Sequence, residues 1–128
     1  MRIQNIHNLF TTMGIEADFR GRDGVQDLLD HKKSKFQRLS LKEQEEFDKE
    51  ALENPYLDSS VYNVADDKEI KKVLVGIDIG PEEILLAKAL GDIDLVIAHH
   101  PIGKGLAQLA DVMELQCDVY NFYGVPIN

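Results

Sequence analysis

The chain carries a single cysteine, Cys117, and no tryptophan, and aromatic residues make up only 7% of it. One thiol forms no internal disulfide, so the fold is not a disulfide scaffold, and a reducing, cytoplasmic compartment is the expectation. Apolar stretches are short. Val73–Val75 and Leu95–Ala98 fall far below the roughly 20 residues of a membrane span. Met1–Leu9 holds one Arg and no apolar block, so a secretory signal is not expected either. Basic residues are outnumbered: fourteen Lys and Arg stand against twenty-three Asp and Glu, a formal charge of −9. Such a chain lacks the electrostatic footprint of sequence-independent nucleic-acid binding, and anionic membrane surfaces are disfavoured for the same reason. Apolar residues are not scarce. They make up 44% of 128 residues, enough for one domain that needs neither disulfide nor metal merely to fold.

The first half reads as helix. Ile3, Ile6, Phe10 and Met13 recur at helical spacing, with Gly14 as the expected stop. Val25, Leu28, Leu29, Phe36 and Leu39 trace a second apolar stripe, for which Asp23 and Gln26 form a candidate capping box. Ser40 and Glu43 repeat that signature ahead of a third, very acidic helix expected to reach about Leu52. Its charges read as a solvated face rather than a ligand cluster. Asn54-Pro55 ends it, because the residue before proline avoids helical backbone. The sequence thus divides into a helical region over 1–53, a polar linker over 54–70 and a differently textured segment over 71–128.

That last segment alternates strand and helix. Lys72–Asp78 is a nearly continuous apolar run, the composition of a strand covered on both faces. Pro81 suits a first helical position, Glu82 and Glu83 favour the positive end of the helix dipole, and the helix runs to Gly91. Asp94–Ala98 is a second buried-strand run, and a helical pattern follows from about Leu106 to Tyr123. Strand, helix and strand in this order imply a parallel crossover unit. The expected class is α/β: a helical N-terminal layer followed by a parallel βαβα unit, itself part of a larger layered fold, since a two-stranded parallel sheet needs neighbours.

Ligands of open parallel sheets bind beyond the carboxyl ends of the strands. Asp78 closes the first strand here and His99-His100-Pro101 closes the second. Neighbouring histidines on a regular strand face opposite sides of the sheet, but the alternation relaxes at the strand's exit. Both imidazoles can then stand at the rim on diverging vectors, an arrangement that suits two metal ions better than one ion held by both rings. Imidazole serves zinc, iron and nickel, and mixed imidazole–carboxylate sets also admit manganese. Asp78 is either an outer acceptor that orients a ring or a catalytic carboxylate.

The run Lys72-Val-Leu-Val-Gly-Ile-Asp78, the helix opened by Pro81-Glu82-Glu83, and Asp94-Leu-Val-Ile-Ala-His99-His100-Pro101 together resemble the NGG-interacting-factor-three-like family. Its bacterial members are often labelled GTP cyclohydrolase I type 2. Met13–Asp18 and Asn54-Pro-Tyr56 resemble an N-terminal extension of one branch. The resemblance implies an α/β protein that assembles into ring-like homo-oligomers and carries a dinuclear metal site. It also implies that His99 and His100 each ligate one ion. The aspartate and the His/Glu pair that complete the family's site have no assigned counterpart among these residues, so the chain reads as an N-terminal half.

Weaker candidates remain. Gly103-Lys104-Gly105 offers backbone N–H groups and an ammonium to a phosphate but lacks P-loop spacing. His7 reads as a helix-face residue and His31 as exposed, while Cys117 reads as a buried structural thiol. Tyr120, Phe122 and Tyr123 read as helix packing or a subunit contact. Two functions follow. One is a dinuclear-metal, hydrolase-like protein acting on a small molecule; the other is a non-enzymatic oligomeric assembly domain with an incomplete metal site.

Overall fold

A computed structural model of the chain describes residues 1–100, 103–107 and 109–126. Its architecture is mixed α/β, with a helical N-terminal part followed by a strand–helix–strand unit and further helix. Helices α1 (Ile3–Ala17) and α2 (Gly21–Gln37) pack together, the short α3 (Leu41–Glu46) follows, and a 3₁₀ turn (Lys49–Leu52) packs against α2. Strand β1 (Val73–Gly76), helix α4 (Pro81–Leu90) and strand β2 (Leu95–Ala98) follow, then α5 (Lys104–Ala107) and α6 (Leu109–Phe122). The strands are parallel, with Val73 opposite Leu95 and Gly76 opposite Ala98.

Helix α1 does not stop at Gly14 as the sequence implies but continues to Ala17. The glycine serves packing instead. A Cβ there would meet the Tyr56 ring at 2.8 Å, so the missing side chain lets the 54–60 segment lie against the helix. The second helix also differs from expectation: it starts at Gly21, ahead of Asp23, and no side chain caps it. Gln26 donates to the Asp30 carboxylate, 2.9 Å, rather than back to the helix start.

The Ser40–Glu43 box is present, with the Ser40 N–H donating to Glu43 Oε2 at 2.8 Å. Its helix is shorter than expected because Phe47 takes extended backbone (ψ 138°). That break brings the Phe47 ring to 5.1 Å from Phe36. Asp48 then caps the 3₁₀ turn, accepting from the Glu50 N–H at 3.2 Å. The ring contact, between two half-buried phenylalanines, takes the place of a further turn of solvated acidic helix.

Residues 54–60, placed in a linker by their polarity, pack against the helices. Asn54, at 4% exposure, donates to the Ser59 carbonyl, and its own side-chain oxygen accepts from the Tyr56 N–H. Leu57 joins Val25, Leu29 and Ala51 in the apolar centre of this layer. Downstream, Asp94 pins the start of β1: its carboxylate accepts the N–H groups of Lys71 and Lys72 at 2.9 and 3.0 Å and pairs with Lys68. These donors hold its carboxyl well below the usual range, Lys68 contributing most.

The strands are not covered on both faces, contrary to expectation. Val75 and Ile77 are 65% and 63% exposed, and Ile84, Leu85 and Leu90 on α4 are exposed as well. Ile79 is the buried exception; it folds back over β1 at Gly76, where a Cβ would lie 2.7 Å from its Cδ1. No helix among the described residues is long and apolar enough to cross a membrane.

Candidate metal-ligating rim

The ladder of β1 and β2 continues past the strands and carries both histidines to the sheet's rim. The His99 N–H donates to the Gly76 carbonyl at 2.9 Å, and the His100 N–H to the Ile77 carbonyl at 2.8 Å. Two further backbone bonds thus hold a segment that would otherwise be free loop. The imidazoles lie side by side, their centres 5.0 Å apart and their planes inclined by 34°. Asp78 Oδ1 stands 2.9 Å from His100 Nδ1. Among the described residues the His99 ring has no hydrogen-bond partner.

The same rim carries the start of α4. Pro81 occupies the first turn, and the Glu83 carboxylate reaches back to accept the Gly80 N–H at 2.7 Å. Glu83 is therefore engaged in capping. The donor chemistry of the rim suits a first-row transition ion: two imidazoles, one of them backed by a carboxylate. The donor number is smaller than a closed site needs. Among the described residues no three His, Cys, Asp or Glu side chains converge to enclose an ion. Pro101, the last residue of the motif, lies outside the described residues, as does the Lys104 side chain of the phosphate candidate.

Other candidates fall elsewhere. His31 is exposed on α2. His7 is not a simple face residue: its Nε2 bonds the Ser59 carbonyl at 2.9 Å and its Nδ1 is buried with no partner among the described residues. Cys117 is exposed, which corrects the expectation of a buried thiol. It lies on a side of α6 that borders an open cleft, so apolar neighbours in sequence did not translate into cover. Phe122 meets Phe19 edge-on at 6.1 Å, but it and Tyr123 are 71% and 77% exposed.

That cleft, about 770 Å³, runs between α1, α2, the 55–59 segment and α6, and it holds a polar cluster that sequence reasoning missed. Asp18 is the hub, with its side chain 2% exposed. It accepts from the Arg20 N–H and Nε at 3.0 Å, from Arg20 Nη2 at 2.8 Å and from the Tyr56 hydroxyl at 2.9 Å. Arg20 in turn reaches Asp118 of α6 at 3.7 Å. The Arg20 hydrogen bonds hold the Asp18 carboxyl below the usual carboxylate range. Burial, then the bond to Asp18, pushes the Tyr56 phenol up to about 12. The groups answer one another, so the cluster is a clasp between helix ends rather than a reactive centre. Asp18 and Tyr56 lie 38 residues apart, and no periodic signal links them.

No family model, no curated protein and no solved structure matches the chain.

Proposed function

We propose that the chain contributes the paired-histidine part of a dinuclear-metal, hydrolase-like protein of the NGG-interacting-factor-three-like kind. His99 and His100 would each donate to one divalent transition ion: zinc, iron, manganese or nickel. One observation carries the reading. Two adjacent imidazoles stand together at the carboxyl rim of a parallel strand pair, fixed by backbone bonds at 2.9 and 2.8 Å, with a carboxylate on one ring. An ion bound there supplies Lewis acidity and an acidified water for attack on a phosphoryl group or an activated ring carbon of a small-molecule substrate. The chain's own part is to hold the imidazoles and to orient His100 through Asp78. The remaining ligands come from outside the described set.

Elemental analysis after loading with Zn²⁺ or Mn²⁺ and desalting tests this reading. About two ions per chain are expected, and His99→Ala with His100→Ala removes them. Unchanged metal in the double variant overturns the assignment.

A second reading, a non-enzymatic assembly domain forming homo-oligomers in a cytoplasmic setting, is favoured by a separate observation. The exposed Val75, Ile77, Ile84, Leu85 and Leu90 give the strand–helix–strand unit apolar surface that a partner subunit can cover.

A further inference from the structure

Asp78 and His100 carry more information than their proximity. A neutral imidazole has one protonated nitrogen and one with a free lone pair, and an ionised carboxylate only accepts. Nδ1 of His100, 2.9 Å from Asp78 Oδ1, must therefore hold the proton when it bonds the carboxylate. The lone pair is then on Nε2, the nitrogen at the far side of the ring. Unconstrained histidine prefers the opposite arrangement, with the proton on Nε2. Among the described residues nothing imposes either form on the His99 ring. The rim is thus asymmetric although its two ligands are chemically identical.

We infer that Asp78 is a positioning residue that fixes His100 in the Nδ1–H form and leaves Nε2 as the prepared donor, while His99 stays unfixed. Of the two roles open to Asp78, ring orientation is the one that its contact supports. The carboxylate faces Nδ1, and Nε2 has no hydrogen-bond partner among the described residues. The backbone bonds from His99 and His100 to Gly76 and Ile77 keep the Cα of each residue in place, so the side-chain bond has the two side-chain torsions to settle. The consequence for metal rests on the proposed function: the first equivalent of ion goes to His100 through Nε2. The tautomer itself does not depend on metal.

The test uses the full chain labelled with ¹⁵N-histidine, metal-free, at about pH 8, above the ordinary imidazole range. Long-range ¹H–¹⁵N spectra report which nitrogen of each ring is protonated, and a His100→Gln variant assigns the His100 signals. The expected result is an Nδ1–H pattern at His100 and an averaged, mainly Nε2–H pattern at His99. Asp78→Ala should shift His100 to the averaged pattern, whereas Asp78→Asn, whose side-chain oxygen still accepts, should keep it. Asp78 is 82% exposed on its side chain, so both variants should fold, and unchanged His7 and His31 signals verify that they do. On adding ZnCl₂, His100 Nε2 should move before His99, and Asp78→Ala should weaken zinc binding by about 10- to 100-fold. An Nε2–H pattern at His100 in the unaltered chain, or no change in Asp78→Ala, overturns the inference. A tautomer that switches as expected in a chain whose histidines ignore zinc upholds the Asp78 lock and overturns the metal reading alone.

Discussion

The helical layer and the strand–helix–strand unit solve the same problem to different degrees. In the first, Val25, Leu29, Ala51 and Leu57 close a small apolar centre, and polar bonds from Asn54 and Asp18 tie its loops down. In the second, every backbone pairing expected of two parallel strands is made, and even extended by His99 and His100, yet Ile79 alone is a buried apolar residue among those described. Backbone pairing and burial are therefore separable. The strands are held by their ladder and by Asp94, and their side chains are half-buried or exposed. A parallel pair in globular proteins is ordinarily covered on both faces. Here the cover is missing where the candidate site lies and present where it does not.

The sharpest way to break the contrast is to damage the closed half at its hub. Asp18→Ala leaves the Arg20 guanidinium and the Tyr56 hydroxyl without their shared acceptor inside the cleft. A loss of about 3–5 kcal/mol is expected, as for a buried pair broken on one side. Urea unfolding followed by far-ultraviolet circular dichroism measures it. A loss under about 0.5 kcal/mol, the range of ordinary surface changes, would show that the clasp does not hold the helices.

The same hub sets a pH dependence with two arms. The Asp18 carboxyl lies below its ordinary value in the folded chain, so its stabilisation is complete above the ordinary value and fades as pH falls through the lowered one. Tyr56 behaves oppositely. Its phenol is raised to about 12, so the folded chain holds that proton more tightly than the unfolded chain does. Its stabilisation is intact below about pH 10, the ordinary tyrosine value, and is lost as pH rises toward the folded one. Melting temperatures should fall across that alkaline window, and Tyr56→Phe should make the fall shallower. An unchanged alkaline slope in the variant would assign the loss to other groups.

How far the sequence carried these conclusions depended on whether the responsible contact was local. The Ser40–Glu43 box, the Pro81 start of α4 and the two strand runs depend on residues within a few positions, and all were readable. The end of α1 was not. Gly14 looks like a terminator until Tyr56, far along the chain, is seen to occupy the space its side chain would fill. Phe47 likewise ends α3 because of Phe36, a partner outside any capping window. At the rim, His99, His100 and Asp78 were legible as a group because the ends of parallel strands are adjacent by construction. The contact that distinguishes His100 from His99 was not legible, since spacing does not say which ring a carboxylate meets.

The smallest expected effect separates the two halves most cleanly. Leu29, 8% exposed, and Val75, 65% exposed, are both aliphatic residues in regular structure. Leu29→Ala should cost about 2–4 kcal/mol, since it opens space in a closed centre. Val75→Lys should change the stability of a single chain by less than about 0.5 kcal/mol, because its side chain already meets solvent. The same lysine acts differently on an assembly. If the outer faces of β1 and α4 are covered by a second copy, a charge at position 75 must be buried without a partner, and association fails. Sedimentation velocity on the unaltered chain and on Val75→Lys distinguishes these cases. An oligomer that dissolves to monomer in the variant, with its unfolding midpoint in the dilute monomer unchanged, places the interface on the strand face. An oligomer indifferent to the lysine places it elsewhere. A chain that is monomeric throughout removes the assembly reading.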